Sequence, residues 1–306
     1  MVYKTPPCGP GPDRRLAHFA VNRAPENHPD WRRLYGAELR RSRNGYHHGR
    51  RLTGFWADDP SVSPESLFQA VEQMLADPQT RPVKQDRRAA SWCGELWGRQ
   101  VFLKRYLILT LEDQLKYLLR VSRARRYWAA ARVLTEAGFG TPRALGYLEI
   151  RRGLRPVASF VISRWHPLPD GRRWLEDSRG AGADKRRRFA AALWEQLRRL
   201  YANRIYHRDT KLTNLLVDDA LGRIAILWTD LECVGLYVSP TRHRIIRNLV
   251  QLNGSLPPWV PAAERRWFLE LAARDYPALA APSAARRIHR WTARRLEKER
   301  RTGCGP

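Results

Sequence analysis

The sequence predicts an α+β chain in two halves, β-rich first and helical second. Three observations carry this. Runs at 88–96 and 99–106, and again at 143–150 and 157–164, are strand-length, apolar or alternating, and bounded by turn residues. From about residue 184 onward apolar residues recur mostly at helical spacing. Between these regimes lies a polar loop, Tyr206–Asn214, and no internal repeat links the two halves.

Taken in order, residues 1–60 are rich in Pro, Gly, His and Arg with little periodicity, and read as a flexible basic tail in which His47 and His48 are a solvated pair. A helix is expected at 64–76, where Ser63 can cap and Leu67, Val71 and Leu75 recur at spacing four. The runs flanking Trp97-Gly98 predict a hairpin whose second strand, Val101-Phe102-Leu103, ends at Lys104. One long helix is expected from 111 to 137, with Leu115, Leu118, Leu119, Trp128, Val133 and Leu134 on one face; Gly138 closes it and Pro142 prevents its continuation. Strands at 143–150 and 157–164 follow, split by the turn Arg151-Arg152-Gly153. The second half opens with an amphipathic helix at 184–203 that turns Phe189, Leu193, Trp194, Leu197 and Leu200 inward. Short strands at Leu215–Val217 and Ile224–Leu227 are joined by the turn 218–222, and helices are expected at 241–252, 261–274 and 282–300. The organisation is a tail at 1–60, a first unit at 61–164 and a second at 165–306.

Hydrophobic residues make up 43% of the 306, enough for a real core, which excludes general disorder. Lys and Arg number 56 against 30 Asp and Glu, a formal net charge of +26. That balance suits a polyanionic partner: nucleic acid, an anionic membrane surface or a phosphorylated substrate. The cysteines at 8, 93, 233 and 304 form no C-x-x-C pair and suggest no disulfide framework, which fits a reducing cytosol. The first residues lack the apolar segment of a signal peptide, and no apolar run approaches the roughly 18–20 residues that span a bilayer. A cytoplasmic protein, peripheral on a membrane if attached at all, is the expectation.

The strongest chemical signal is His207-Arg208-Asp209-Thr210-Lys211-Leu212-Thr213-Asn214. It matches H-R-D-x-x-x-x-N, the catalytic loop of protein kinases. The spacing has a physical reason. A carboxylate must orient the attacking hydroxyl and accept its proton, while an amide oxygen five residues later reaches a metal bridging the phosphates. Asp209 and Asn214 hold those positions, and Lys211, inside the loop, can reach the transferred phosphate. Thr229-Asp230-Leu231-Glu232 follows a strand, and Asp230 lies 21 residues beyond Asp209. A carboxylate there can hold Mg²⁺, the role of the Asp in D-F-G, although Glu232 replaces the Gly. Lys104 ends an apolar strand, as does the lysine of V-A-I-K that neutralises the α- and β-phosphates. Ser163, Arg164 and Trp165 stand where a hinge offers backbone groups to adenine. Together these predict a bilobal protein-kinase-like fold, with a small β-rich N-lobe and a helical C-lobe, using ATP and Mg²⁺.

Beyond these motifs, about residues 64–300 resemble the lipopolysaccharide kinase family, the Kdo/heptose kinases. The marks are Lys84-Gln-Asp-Arg87, Phe102–Tyr106, Ser122–Trp128, Ala137–Pro142, the catalytic loop, Asp230–Glu232 and Arg247–Ser255. The resemblance implies an ATP-dependent phosphotransferase acting on a sugar hydroxyl of a lipid-anchored acceptor, at the cytoplasmic face of the inner membrane. It gives Asp209 the role of base, Asn214 and Asp230 those of metal ligands, and Lys104 that of the phosphate lysine. Two departures stand out. Many relatives carry Arg-Glu-Trp where this chain has Arg126-Tyr127-Trp128, so the usual acidic partner of Lys104 is missing, and the lysine either relies on Asp230 or is held loosely. No glycine-rich loop precedes the hairpin; Arg87 or Arg88 stands in reach of that role.

Two other readings fit parts of the sequence. One is a protein or antibiotic-type small-molecule kinase, disfavoured as a regulated protein kinase by Glu232 and the lack of an A-P-E segment. The other is a non-catalytic ATP-binding or membrane-associated scaffold, disfavoured by Asp209, Asn214 and Asp230. No specific nucleic acid partner is expected. An anionic membrane surface fits the basic helix at 282–300, with Arg286, Arg287, Arg290, Arg294 and Arg295 on one side and Ile288, Trp291 and Leu296 on another. Packing of that apolar side on its own unit is the competing arrangement.

Overall fold

The structure, a computed structural model, describes residues 30–86, 89–220, 222–236 and 238–301, and Leu119 in backbone only. Residues 1–29 of the expected tail, Arg87 and Arg88, and Cys8 and Cys304 lie outside the described residues. The chain divides into two compact units, with the break between Pro167 and Leu168.

The first unit is built on a seven-stranded antiparallel sheet. Its strands are β1 (Arg43–His47), β2 (Arg50–Trp56), β3 (Arg81–Gln85), β4 (Ala89–Leu96), β5 (Arg99–Leu107), β6 (Ala144–Arg152) and β7 (Arg155–Arg164), in the order β1-β2-β6-β7-β5-β4-β3. Two hairpins turn on residues with positive φ, His48-Gly49 (46° and 71°) and Trp97-Gly98 (51° and 71°), the geometry whose twist matches that of the strands. Helix α2 (Pro64–Ala76) starts where Ser63 accepts the Ser66 N–H at 3.1 Å. Its Leu67, Phe68, Val71 and Met74 pack with Leu52, Val101, Leu103, Leu148 and Ile162 of the sheet in one buried cluster.

Residues 31–56 are not a tail. Asp30 caps α1 (Trp31–Arg40), accepting the N–H groups of Arg32 and Arg33. Helix α1 delivers Glu38, which is buried and takes a 2.9 Å hydrogen bond from Trp128 Nε1, with Arg41 and Arg132 within 3.9 Å. A buried carboxylate is tolerated when it is paired in this way. His47 is half-buried, its ring 5.1 Å from that of Phe68. Sequence periodicity misses this segment because each of its elements is short and arginine-rich, and long arginine stems cover apolar surface without an apolar signature.

The helix expected at 111–137 is two helices, α3 (Leu111–Leu119) and α4 (Arg123–Glu136). Arg120 is extended, and Ser122 starts α4 by accepting the Arg125 N–H at 3.1 Å. Leu115 and Leu118 are therefore not on the face that buries Trp128, Val133 and Leu134; they are 65% and 41% exposed. Gly138, at φ 74°, ends α4, and the Phe139 N–H returns to Leu134 O at 2.9 Å.

The second unit contains α5 (Gly171–Asp177), α6 (Ala183–Ala202), β8 (Ile205–His207), β9 (Leu215–Asp218), β10 (Ala225–Trp228), β11 (Val234–Leu236), α7 (Arg242–Ser255), α8 (Ala262–Asp275) and α9 (Pro282–Arg301). Two small antiparallel ribbons, β9–β10 and β8–β11, frame the polar loop. Helix α9 buries Ala284, Ile288 and Thr292, and Thr292 Oγ1 accepts from Asn253 of α7 at 3.1 Å. Helix α9 packs against α7, with Ile288 buried and Trp291 and Leu296 half-buried. No helix among the described residues is long and apolar enough to cross a membrane.

Candidate active site

In the second unit the polar loop runs from β8 through a single 3-10 turn at Leu212–Asn214 into β9. That turn folds the Asn214 side chain back on the loop. Its Nδ2 donates to Asp209 O at 2.8 Å and to Asp209 Oδ2 at 3.0 Å. Lys211 Nζ reaches the same Oδ2 at 3.1 Å. Both contacts fall on Oδ2 of a carboxylate that is 27% exposed. Because the amide nitrogen of Asn214 is turned toward Asp209, its oxygen is directed away as an acceptor.

Asp230 is joined to this loop through the backbone. The Thr229 N–H donates to Asn214 O at 3.0 Å, which sets the end of β10 beside the start of β9. Asp230 itself is left-handed (φ 55°, ψ 41°), a conformation that Asp tolerates better than most residues and one that turns the chain sharply into the 3-10 turn Leu231–Cys233.

His207 ties the two segments together. Its Nδ1 accepts the Asp209 N–H at 3.3 Å, so the ring proton sits on Nε2, which donates to Thr229 O at 2.9 Å. Burial holds its pKa below the ordinary 6.5, against the opposing pull of the Thr229 hydrogen bond and of the Asp230, Asp209 and Glu232 carboxylates. The ring is a neutral strut. Unfolding restores the ordinary pKa, so as pH falls through about 6.5 the unfolded chain binds a proton that the native chain does not. Stability is expected to fall with pH below that point. The melting-temperature gap between the wild type and His207→Asn should narrow there, because the variant lacks this loss.

The loop backbone is held from below by α7. Gln251 Oε1 accepts the Thr210 N–H at 2.9 Å and its Nε2 donates to Arg208 O at 2.7 Å. Asn248 Nδ2 donates to Thr210 Oγ1 at 2.9 Å, and Ser255 Oγ accepts the Leu212 N–H at 3.0 Å. These residues recur at helical spacing on one face. Sequence reasoning marked the segment 247–255 but gave it no role; the signal was three polar residues on the otherwise apolar, buried face of a helix. Gln251→Ala strands two buried loop groups and is expected to cost about 1–3 kcal/mol in a denaturant melt.

In the first unit Lys104 lies on β5, paired with Ser91 on β4 and Val161 on β7, its ammonium 5.1 Å from the Tyr106 ring centroid. Ser163 is buried at the end of β7 opposite Phe102, and Trp165 stacks on Phe102 at 6.1 Å. The N–H groups of Arg164 and Trp165 donate to Arg143 O and Gln100 O at 2.8 and 3.0 Å. Those two donors serve the sheet, which restricts what this segment can offer a base. Tyr127 of α4, at the position of the missing Glu, is buried.

A cavity of about 540 Å³ in the second unit, lined by Leu193, Leu249, Leu252, Val260, Phe268 and Ile288 among others, contains none of the predicted site residues. Its walls are mostly apolar, unsuited to a triphosphate.

A model of the lipopolysaccharide kinase (Kdo/WaaP) family matches residues 67–279, well over half of the chain and all the predicted site residues. The chain belongs to this family. It is therefore a phosphotransferase of lipopolysaccharide core synthesis, acting on a sugar hydroxyl with ATP as the phosphate donor. Among solved structures it is similar to one described as WaaP in complex with acyl carrier protein, with a TM-score of 0.53 and 21% identity over 74% of this chain and 92% of that one. That likeness supports the kinase-like fold. No curated protein sequence matches significantly.

Proposed function

We propose that Asp209 orients the acceptor hydroxyl and takes its proton as the oxygen attacks the γ-phosphorus and the bond to the β-phosphate oxygen breaks. The arrangement around Asp209 carries this reading: Asn214 and Lys211 fix one carboxylate oxygen and leave the other for the acceptor. Lys211 then stands beside the point of transfer, where its charge offsets that of the moving phosphoryl group. Lys104 is assigned to the α- and β-phosphates. Ser163, Arg164 and Trp165 are assigned to adenine, with the ring acceptor served by an N–H beyond Trp165, since those of Arg164 and Trp165 are already used.

Asp230 and Asn214 would hold Mg²⁺. The fit rests on their chemistry: a carboxylate and an amide oxygen are hard donors, and Mg²⁺ is ordinarily held by one or two protein oxygens plus phosphates and water. When bound, the ion neutralises charge on the β- and γ-phosphates.

The acceptor we assign is a sugar hydroxyl of the inner core or a related glycolipid, met at the cytoplasmic face of the inner membrane by a peripheral protein. An acyl carrier protein, present in the WaaP complex, is a partner to be sought by co-purification. The reading is tested by transfer of label from γ-labelled ATP to an inner-core glycolipid and to a generic protein. Label in the glycolipid alone is expected. Label in the protein alone would favour a protein kinase, and nucleotide binding with no transfer to either would favour a scaffold.

A further inference from the structure

Helix α3 is inverted. Among its described side chains the buried one is Tyr117, 6% exposed, whereas Leu111, Leu115 and Leu118, which share one side at spacings of four and three, are 71%, 65% and 41% exposed. Leu109 before the helix and Val121 after it extend the stripe, at 50% and 37%. An apolar stripe turned to water on a helix anchored by its other side marks an interaction site.

A second observation lies beside it. The Ile108 N–H donates to Val157 O at 3.1 Å, so the chain enters α3 next to the start of β7. There the sheet ends in a row of directly opposed arginines: Arg50 faces Arg152 across β2 and β6, Arg152 faces Arg155 across β6 and β7, and Arg51 faces Arg151. Like charges directly opposed across strands are destabilising. None of these five makes a salt bridge among the described residues. Leu154, 76% exposed, projects from the tip of the β6–β7 hairpin between them. Lys116 on α3 and Arg120 just after it are exposed, and the helix's acids, Glu112 and Asp113, sit in the first turn where the helix dipole favours them.

We propose that this end of the first unit is a membrane-docking surface. Leu111, Leu115, Leu118 and Leu154 enter the headgroup–acyl boundary of an anionic bilayer, while Arg50, Arg152 and Arg155 meet lipid phosphates. The occupant is identified by the pairing of the two features. An anionic bilayer supplies an apolar boundary for the leucines and, across a continuous plane, phosphates for the arginine row that relieve the cross-strand repulsion. The proposal deepens the glycolipid-kinase reading and rests on it for its purpose, since a membrane-borne acceptor calls for such a surface. It assigns the contact to this surface and not to α9, whose Ile288 is buried and whose Trp291 and Leu296 are half-buried, against leucines of α3 that are 41–71% exposed.

The experiment is co-sedimentation of the whole chain, without nucleotide, with vesicles of phosphatidylcholine alone or mixed with phosphatidylglycerol. The wild type is expected to bind the mixed vesicles only. Replacing Arg50, Arg152 and Arg155 by Gln should weaken binding about a hundred-fold, at about fivefold per arginine. Replacing Leu111, Leu115 and Leu118 by Gln should weaken it about ten-fold or more. The leucine variant should keep the wild-type melting temperature, and the arginine variant, relieved of cross-strand repulsion, should melt at or above it; if the leucine triple unfolds, Leu115→Gln alone replaces it. Equal binding to both vesicle types, unchanged binding by both variants, or a wild-type dimer that the leucine variant dissociates with vesicle binding intact would overturn the proposal. Phosphate transfer to a water-soluble sugar acceptor, measured alongside, reports on the kinase reading independently.

Discussion

Replacing Asp209 with alanine is expected to lower kcat for phosphate transfer about 10²–10⁴-fold, the usual contribution of a positioned general base. The KM for ATP should change little, because the role assigned to Asp209 is toward the acceptor and not the nucleotide. Stability should change modestly. Asp209 is partly exposed, and the loop backbone that carries it is held by Gln251, Asn248 and Ser255 and not by its own side chain. Asn214 loses a contact to Oδ2 but keeps its 2.8 Å bond to Asp209 O. The split between kcat and melting temperature separates a chemical role from a structural one. Steady-state kinetics with a glycolipid acceptor, beside a thermal melt, supplies both; a variant with wild-type kcat would remove Asp209 from the chemistry.

Trp128→Ala is expected to produce the largest loss of stability, about 3–5 kcal/mol for a buried aromatic in a packed core. Trp128 is 1% exposed, its ring 5.3 Å from Phe55 and 6.2 Å from Tyr147, and its Nε1 donates to the buried carboxylate of Glu38. The substitution opens a cavity and also removes a hydrogen bond from a buried charge. Trp128→Phe isolates the second effect and should cost about 1–3 kcal/mol. Denaturant unfolding of the two variants measures both numbers. If Trp128→Ala proved near neutral, the docking of α1 on α4 through Glu38 would be wrong, and residues 31–56 would revert to the tail that their composition suggests.

That segment shows where the sequence was legible and where it was not. Elements with an apolar face and explicit stop signals were readable: the hairpin around Trp97-Gly98, α2 after Ser63, the end of α4 at Gly138. The loop chemistry was readable too, because H-R-D-x-x-x-x-N fixes both residue types and spacing. Arginine-rich elements hid. After α1 Arg41 lies over the Phe55 ring and at the start of β2 Arg50 lies over that of Phe68, and the partner that gives α1 its place, Trp128, is 90 residues away. The break between α3 and α4 hid because leucines on both sides suggested one continuous face. In the structure Leu111, Leu115 and Leu118 of α3 point to water, so their meaning is a surface and not a core. At the candidate site, the carboxylates and amide were visible as a motif. The α7 residues that hold the loop were visible only as polar letters in a buried stretch, since nothing local says that Gln251 reaches Thr210.

The account turns on Asp209, Asn214 and Asp230 acting together on a nucleotide. The most direct measurement is a crystal structure of the chain with a non-hydrolysable ATP analogue and Mg²⁺. An ion held by Asp230 and by the amide oxygen of Asn214, with the free carboxylate oxygen of Asp209 facing the γ-phosphate, is the predicted result. A nucleotide whose phosphates and ion lie away from Asp230 and Asn214 would contradict it.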